Sequence, residues 1–142
     1  MTTVTARLDV GVRVEISNGR HHWFADELSD VGGGDTGPNP YEMLAGSLAA
    51  CTVITLRLYA GHKGIDLESV TAEYSFDRVH ADDCSECVSD ESGMIERMRS
   101  RITIGGTFTD EQRKRLTEIA ARCPVHKSLV HGIRIFDEVL FE

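Results

Sequence analysis

Basic residues are the scarcer charge in this chain of 142 residues: 15 lysines and arginines stand against 23 aspartates and glutamates, for a formal net charge of −8 at pH 7 with histidine neutral. Duplex DNA and anionic membranes both select for clustered cations, so neither nucleic acid nor a membrane surface is expected as a partner. No G-x-G-x-x-G directly follows a strand-like stretch, the one at 32–37 lying within a loop, and neither G-x-x-x-x-G-K-[ST] nor G-x-S-x-G occurs. Those absences remove the usual phosphate cradles and the nucleophile elbow of a serine hydrolase. The opening MTTVTARLDVGVRVEI alternates apolar and polar residues and lacks the charged-then-apolar pattern of an export signal. The most apolar run, Met43–Ile54, gives way at Arg57 and is too short to span a bilayer. A cytoplasmic location is therefore expected.

A hydrophobic content of 41% and a charged content of 27% belong to an ordinary globular protein. The length suits one domain over 1–142, large enough to bury a core without disulfide staples. There are four cysteines, Cys51, Cys84, Cys87 and Cys123. In a reducing compartment a disulfide is more often catalytic or transient than structural, so each thiol needs its own reading.

The hydrophobic spacing sets the order of elements. Val4, Ala6 and Leu8 alternate, as do Val12, Val14 and Ile16, and Asn18-Gly19 predicts a type I′ turn into a third strand over 20–25. A loop rich in glycine and proline comes next, from Ser29 to Pro40. Asn39 is then a good N-cap, Pro40 suits the first helical position, and Glu42 falls at N3. The helix they open is apolar nearly all round, as expected of one enclosed by other structure, and Gly61 and Gly64 bracket its end. Strands are predicted around 69–79 and 95–108, joined by an acidic segment over 80–93. Thr109-x-x-Gln112 reads as a capping box for a helix to about Ala121; a short helix starts at Pro124, and Ile133–Phe141 gives a last strand. The expected architecture is α+β in the order β-β-β-α-β-β-α-α-β, with a long buried central helix. So short a chain has little surface to cover that helix, and a homodimer that completes the cover is expected.

Four groups of residues offer chemistry. Cys51 lies mid-helix, where a cysteine usually packs as a small hydrophobe and apolar surroundings raise its pKa. Cys123 is the expected N-cap of the helix opened by Pro124, facing free N–H groups and a positive dipole end that lower a thiol pKa. His126, one turn in, could add a donor or a base. The bland reading is that Cys123 merely separates two helices. Cys84 and Cys87 form a CxxC with His80 upstream, a redox pair, half a zinc site, or simply a solvated acidic loop. Glu42 could orient a group near Cys51, or only cap its helix. The His21-His22 pair reads as strand decoration.

"GPNPYEMLAGSLAACT", with a cysteine eleven residues after the helix proline, and "RCPVHKSL" some seventy residues later together resemble the OsmC/Ohr family over nearly the whole chain. The resemblance implies an intertwined, swapped homodimer with active sites at the subunit interface. It also implies a peroxidase that needs no metal or haem cofactor and reduces organic hydroperoxides to alcohols; hydrogen peroxide is a second candidate substrate. By that resemblance Cys51 is the attacking thiolate and Cys123 resolves its sulfenic acid as a disulfide, which a dithiol reductant of lipoyl type reopens. The resemblance further implies an arginine–carboxylate pair that keeps the first thiol ionised. Arg13 and Arg20 are the arginine candidates, and Tyr41 stands where the family has its glutamate, with Glu42 one place later. The family thus assigns attack to Cys51, while local electrostatics single out Cys123 as the more acidic thiol.

Overall fold

The computed structural model describes residues 1–84 and 92–142. The chain forms two compact units, 1–46 and 47–142. In the first, β1 (Thr5–Arg7), β2 (Val14–Ser17) and β3 (His22–Ala25) make an antiparallel meander. The hairpin expected around Asn18 is present but centred one residue later. The Asn18 side chain accepts the N–H groups of Arg20 and His21 at 3.0 and 2.8 Å, and its own N–H meets the His21 carbonyl at 3.2 Å. Gly19, at φ 86°, supplies the left-handed residue that this turn requires.

The loop after β3 is organised by one buried carboxylate. Asp26 accepts from the N–H groups of Glu27, Gly34 and Thr36 and from the Thr36 hydroxyl, the last at 2.6 Å. Led by the Thr36 hydroxyl, these donors hold the Asp26 pKa at about 2. The close approach they impose needs Gly33, where a Cβ would collide with the backbone of Glu27.

Helix α1 (Pro40–Lys63) has both expected ends. Asn39 and Glu42 form the reciprocal capping pair, with Glu42 N–H to Asn39 Oδ1 at 2.9 Å and Asn39 N–H to the Glu42 carboxylate at 2.8 Å. Gly64, at φ 66°, ends the helix. Ile65 N–H reaches the Ala60 carbonyl at 2.8 Å and Gly64 N–H the Gly61 carbonyl at 3.4 Å, the paired bonds of a Schellman motif.

The enclosure expected for α1 is met on one stripe only. Leu48, Thr52, Leu56 and Ala60, at four-residue spacing, are buried, while Ile54 and Leu58 are 56% and 68% exposed. The elements of the second unit pack on this stripe of the helix, through Leu67, Leu116 and Ile119. The full helix is also longer than its most apolar run, and by length and composition alone it could cross a bilayer. Its buried stripe, with Leu56 and Ala60 in the hydrophobic core, is what a core helix shows.

In the second unit β4 (Ser69–His80) and β5 (Met94–Gly105) form one long antiparallel ribbon, in register from Ser69↔Gly105 to His80↔Met94. Val70, Ile102 and Ile104 of this ribbon pack on a core of Leu56, Ala60, Leu67, Leu116 and Ile119. The opposite residues of the alternation carry charge, as in the Asp77–Arg97 cross-strand pair at 2.7 and 3.0 Å. Helix α2 (Asp110–Ala120) opens with the expected Thr109–Gln112 box, and α3 (Pro124–His131) comes directly after it.

The expected last strand is absent. Residues 133–142 form no regular structure and no described strand pairs with them. Ile133, Ile135, Phe136, Val139, Leu140 and Phe141 are all exposed. The alternation that suggested a strand is real, but a strand also requires a partner strand to pair with, and none of the described strands, open edges included, pairs with this segment. The observed order is an α+β arrangement, β-β-β-α-β-β-α-α.

Candidate active site

Two of the four cysteines come together: Cys51 from the middle of α1 and Cys123 from the start of α3, both free thiols with their side chains in hydrogen-bond contact. Cys51 is half-buried and Cys123 is fully buried. The meeting has local causes. Pro124 at the first helical position and the turn after α2 make Cys123 the N-cap of α3, where its sulfur accepts the His126 N–H at 3.3 Å.

The same helix end serves the second sulfur. Proline has no N–H, so the first donors of α3 are those of Val125 and His126. The Val125 N–H goes to Cys51 and the His126 N–H to Cys123. Burial alone would raise the Cys51 pKa. It is outweighed by the Cys123 thiol, the Val125 N–H and the Thr55 hydroxyl one turn along α1, all donating to the Cys51 sulfur, so the thiol ends below its ordinary value. For Cys123 the balance reverses. Burial and the Cys51 sulfur beside it raise its pKa, against smaller opposing contributions from the His126 N–H and the Thr52 hydroxyl.

This ordering corrects the expectation that Cys123 is the more acidic thiol. The cap position and the donated N–H are as expected. The error lay in assigning the whole helix end to the cap residue, when one of its two donors serves Cys51 and full burial dominates at Cys123. Thr55, four residues after Cys51, was legible from helical spacing. Thr52, Val125 and Tyr74 were not, because their importance depends on which elements meet.

The remaining candidates are engaged in other contacts. Glu42 is committed to the α1 cap and lies nine positions before Cys51, a rotation of about 180° along a helix. Arg13 hydrogen-bonds the Thr36 hydroxyl at 2.5 Å, with its guanidinium 4.3 Å from the centre of the Phe24 ring. Arg20 is exposed in the hairpin turn. His80 caps a short 3₁₀ turn, accepting the Asp82 N–H at 3.3 Å. Cys84 is buried and disulfide-bonded, hence not a thiolate available to zinc in this state, and Cys87 lies outside the described residues. Among the described residues no group of three or more His, Cys, Asp or Glu could hold a metal ion.

A family model described as OsmC-like protein matches residues 32–136, a span that includes both free cysteines. The chain belongs to the OsmC family. A Psychrobacter arcticus protein named for osmotic stress induction and a detoxification response shares 26% identity, with a TM-score of 0.68 over 90% of this chain and 88% of that one. The OsmC organic hydroperoxide resistance protein of Legionella pneumophila gives 21% identity and a TM-score of 0.63, over 91% and 88%. OhrB of Bacillus subtilis, also an organic hydroperoxide resistance protein, gives 21% and 0.59 over 90% and 89%. The last two likenesses speak to the fold alone. No curated protein sequence matches the chain significantly.

Proposed function

We propose that this OsmC family member is a thiol-based peroxidase that reduces organic hydroperoxides, and hydrogen peroxide as well, through Cys51 and Cys123. The observation that carries the reading is the convergence of the Val125 N–H and the Thr55 and Cys123 hydrogens on the Cys51 sulfur. These donors favour a thiolate, the reactive form of cysteine. They also leave the neighbouring thiol protonated and in contact.

The Cys51 thiolate attacks the terminal oxygen of the hydroperoxide. The O–O bond breaks, the alkoxide takes a proton and leaves as the alcohol, and Cys51 becomes a sulfenic acid. The Cys123 sulfur then attacks the Cys51 sulfur. An S–S bond forms, the S–O bond breaks, and hydroxide leaves with the Cys123 proton as water. A dithiol reductant of lipoyl type reopens the disulfide by two exchanges, itself becoming a disulfide. Glu42 keeps a capping role in this scheme. The arginine of the family resemblance would add to hydrogen bonds that already favour the thiolate, and Arg13 and Arg20 are its candidates.

The reading includes a homodimer. Its support is the exposed apolar side chains of α1 and of residues 133–141, which leave more apolar surface in water than a monomer usually tolerates. Light scattering that finds a monomer at micromolar concentration would remove this part. For the chemistry, steady-state consumption of cumene hydroperoxide and hydrogen peroxide is measured with dihydrolipoamide or a monothiol as reductant. Dihydrolipoamide should support turnover, and Cys51→Ser should abolish it. Equal rates for Cys51→Ser and the native protein would refute the enzyme.

A further inference from the structure

We infer that Thr52 and Tyr74 are positioning residues for the resolving step, forming a hydroxyl relay that holds and polarises the Cys123 sulfur. Thr52 is completely buried. Its hydroxyl lies 2.9 Å from the Tyr74 phenol and hydrogen-bonds the Cys123 side chain.

Counting protons fixes the direction of the relay. A threonine hydroxyl has one proton and two lone pairs. The Cys123 thiol gives its hydrogen to Cys51, so toward Thr52 its sulfur can only accept. The Thr52 proton is therefore committed to Cys123, and the Tyr74 O–H must donate to the Thr52 oxygen. The result is a single file, Tyr74 to Thr52 to Cys123 to Cys51, with every hydrogen pointing toward the reacting sulfur. Each bond in such a file polarises the next. At its outer end Tyr74 borders a cavity of about 280 Å³, lined also by Ser100, Ile102, Thr117 and His126. The relay thus runs from that cavity to the thiol pair.

Its use lies in the second half of the cycle. When Cys123 attacks the Cys51 sulfenic acid, negative charge gathers on the Cys123 sulfur as its proton leaves with the hydroxide. A burial that raises the cost of that charge needs a donor already aimed at it. Thr52 supplies one without reorganisation. Its methyl group could be replaced by any apolar group of the same size, but its proton could not.

The inference rests on the peroxidase reading, and the test separates the two. Protein with both thiols reduced is mixed with one equivalent of cumene hydroperoxide and quenched at intervals. Sulfenic acid is counted by dimedone capture, and disulfide by mass spectrometry. Thr52→Val should lower the rate of disulfide formation relative to sulfenic acid formation by about tenfold, the loss of one hydrogen bond to a charged group. Thr52→Ser should restore the ratio, Tyr74→Phe should lower it less, and Thr52→Val with Tyr74→Phe should be no worse than Thr52→Val alone. A native ratio in Thr52→Val, or a Thr52→Ser variant as slow as Thr52→Val, overturns the relay. If Thr52→Val does not fold, Tyr74→Phe decides, and a native ratio there overturns it. Diamide oxidises the same cysteine pair without any hydroperoxide. A native protein that forms the disulfide with diamide yet no sulfenic acid with the hydroperoxide refutes the peroxidase. The ratio of Thr52→Val to native rates with diamide then tests the relay by the same tenfold criterion.

Discussion

Replacing Cys123 with alanine tests the electrostatic core of the site, because it removes one of the three donors on the Cys51 sulfur and leaves the Val125 N–H and the Thr55 hydroxyl. A hydrogen bond to a charged group contributes about 1.5–3 kcal/mol, and one pKa unit corresponds to about 1.36 kcal/mol. Losing the Cys123 donor should therefore raise the Cys51 pKa by about one to two units. The assay is the rate of iodoacetamide alkylation of Cys51 against pH, with the site read by peptide mass spectrometry. Cys123→Ser keeps both a donor and an N-cap for α3, so its midpoint should fall between those of the native protein and Cys123→Ala. In the reciprocal variant, Cys51→Ser, the Cys123 midpoint should drop, since the Cys51 sulfur together with burial is what raises it. A Cys51 midpoint that does not rise in Cys123→Ala, or a native protein in which Cys123 titrates below Cys51, would refute the reasoning.

Three further outcomes are expected. Leu56 is completely buried at the centre of the second unit's core, so Leu56→Ala should destabilise the fold by about 3–5 kcal/mol in urea unfolding; a loss under 1 kcal/mol would contradict that packing. The Asp26 pKa is lowered from 3.8 to about 2, so its contribution is fully present above pH 4 and disappears as pH falls toward 2. Asp26→Asn should lower the melting temperature at pH 7 and flatten the acid limb between those values, and parallel acid limbs would count against the carboxylate. Truncation after Gly132 removes six exposed large apolar residues and should weaken self-association by light scattering; an unchanged mass would show that the tail does not hold the copies together.

How much of the fold and the site is legible in the sequence depends on the range of the interactions. The caps were legible because capping is local: Asn39 with Glu42, Thr109 with Gln112, and Cys123 before Pro124 each act within four residues, and all three appear as expected. The two strands of the β4–β5 ribbon were expected close to their observed bounds, around 69–79 and 95–108. The strand over 133–141 was not legible, since alternation shows that a segment suits a sheet but not which strand it pairs with, and the open edges of both sheets stay unpaired with it. The acidity order of the thiols failed for a related reason. Sequence shows that α3 begins at Cys123, but not that α1 passes close enough for Cys51 to take the Val125 N–H. Reasoning from the single helix end therefore placed the lower pKa on the wrong sulfur.

On the proposed peroxidase reading, the contact between Cys51 and Cys123 decides the fate of the protein once Cys51 has been oxidised. A sulfenic acid has two outcomes, closure onto a neighbouring thiol or further oxidation to a sulfinic acid that is not readily recovered. With the second sulfur in hydrogen-bond contact with the first, closure is unimolecular. The lifetime of the sulfenic acid is then an internal constant of the molecule, independent of how much peroxide surrounds it. Further oxidation, by contrast, rises with peroxide concentration. The arrangement therefore sets a threshold dose below which almost every oxidised molecule closes safely, and a slower second step, as in Thr52→Val, would lower that threshold in proportion.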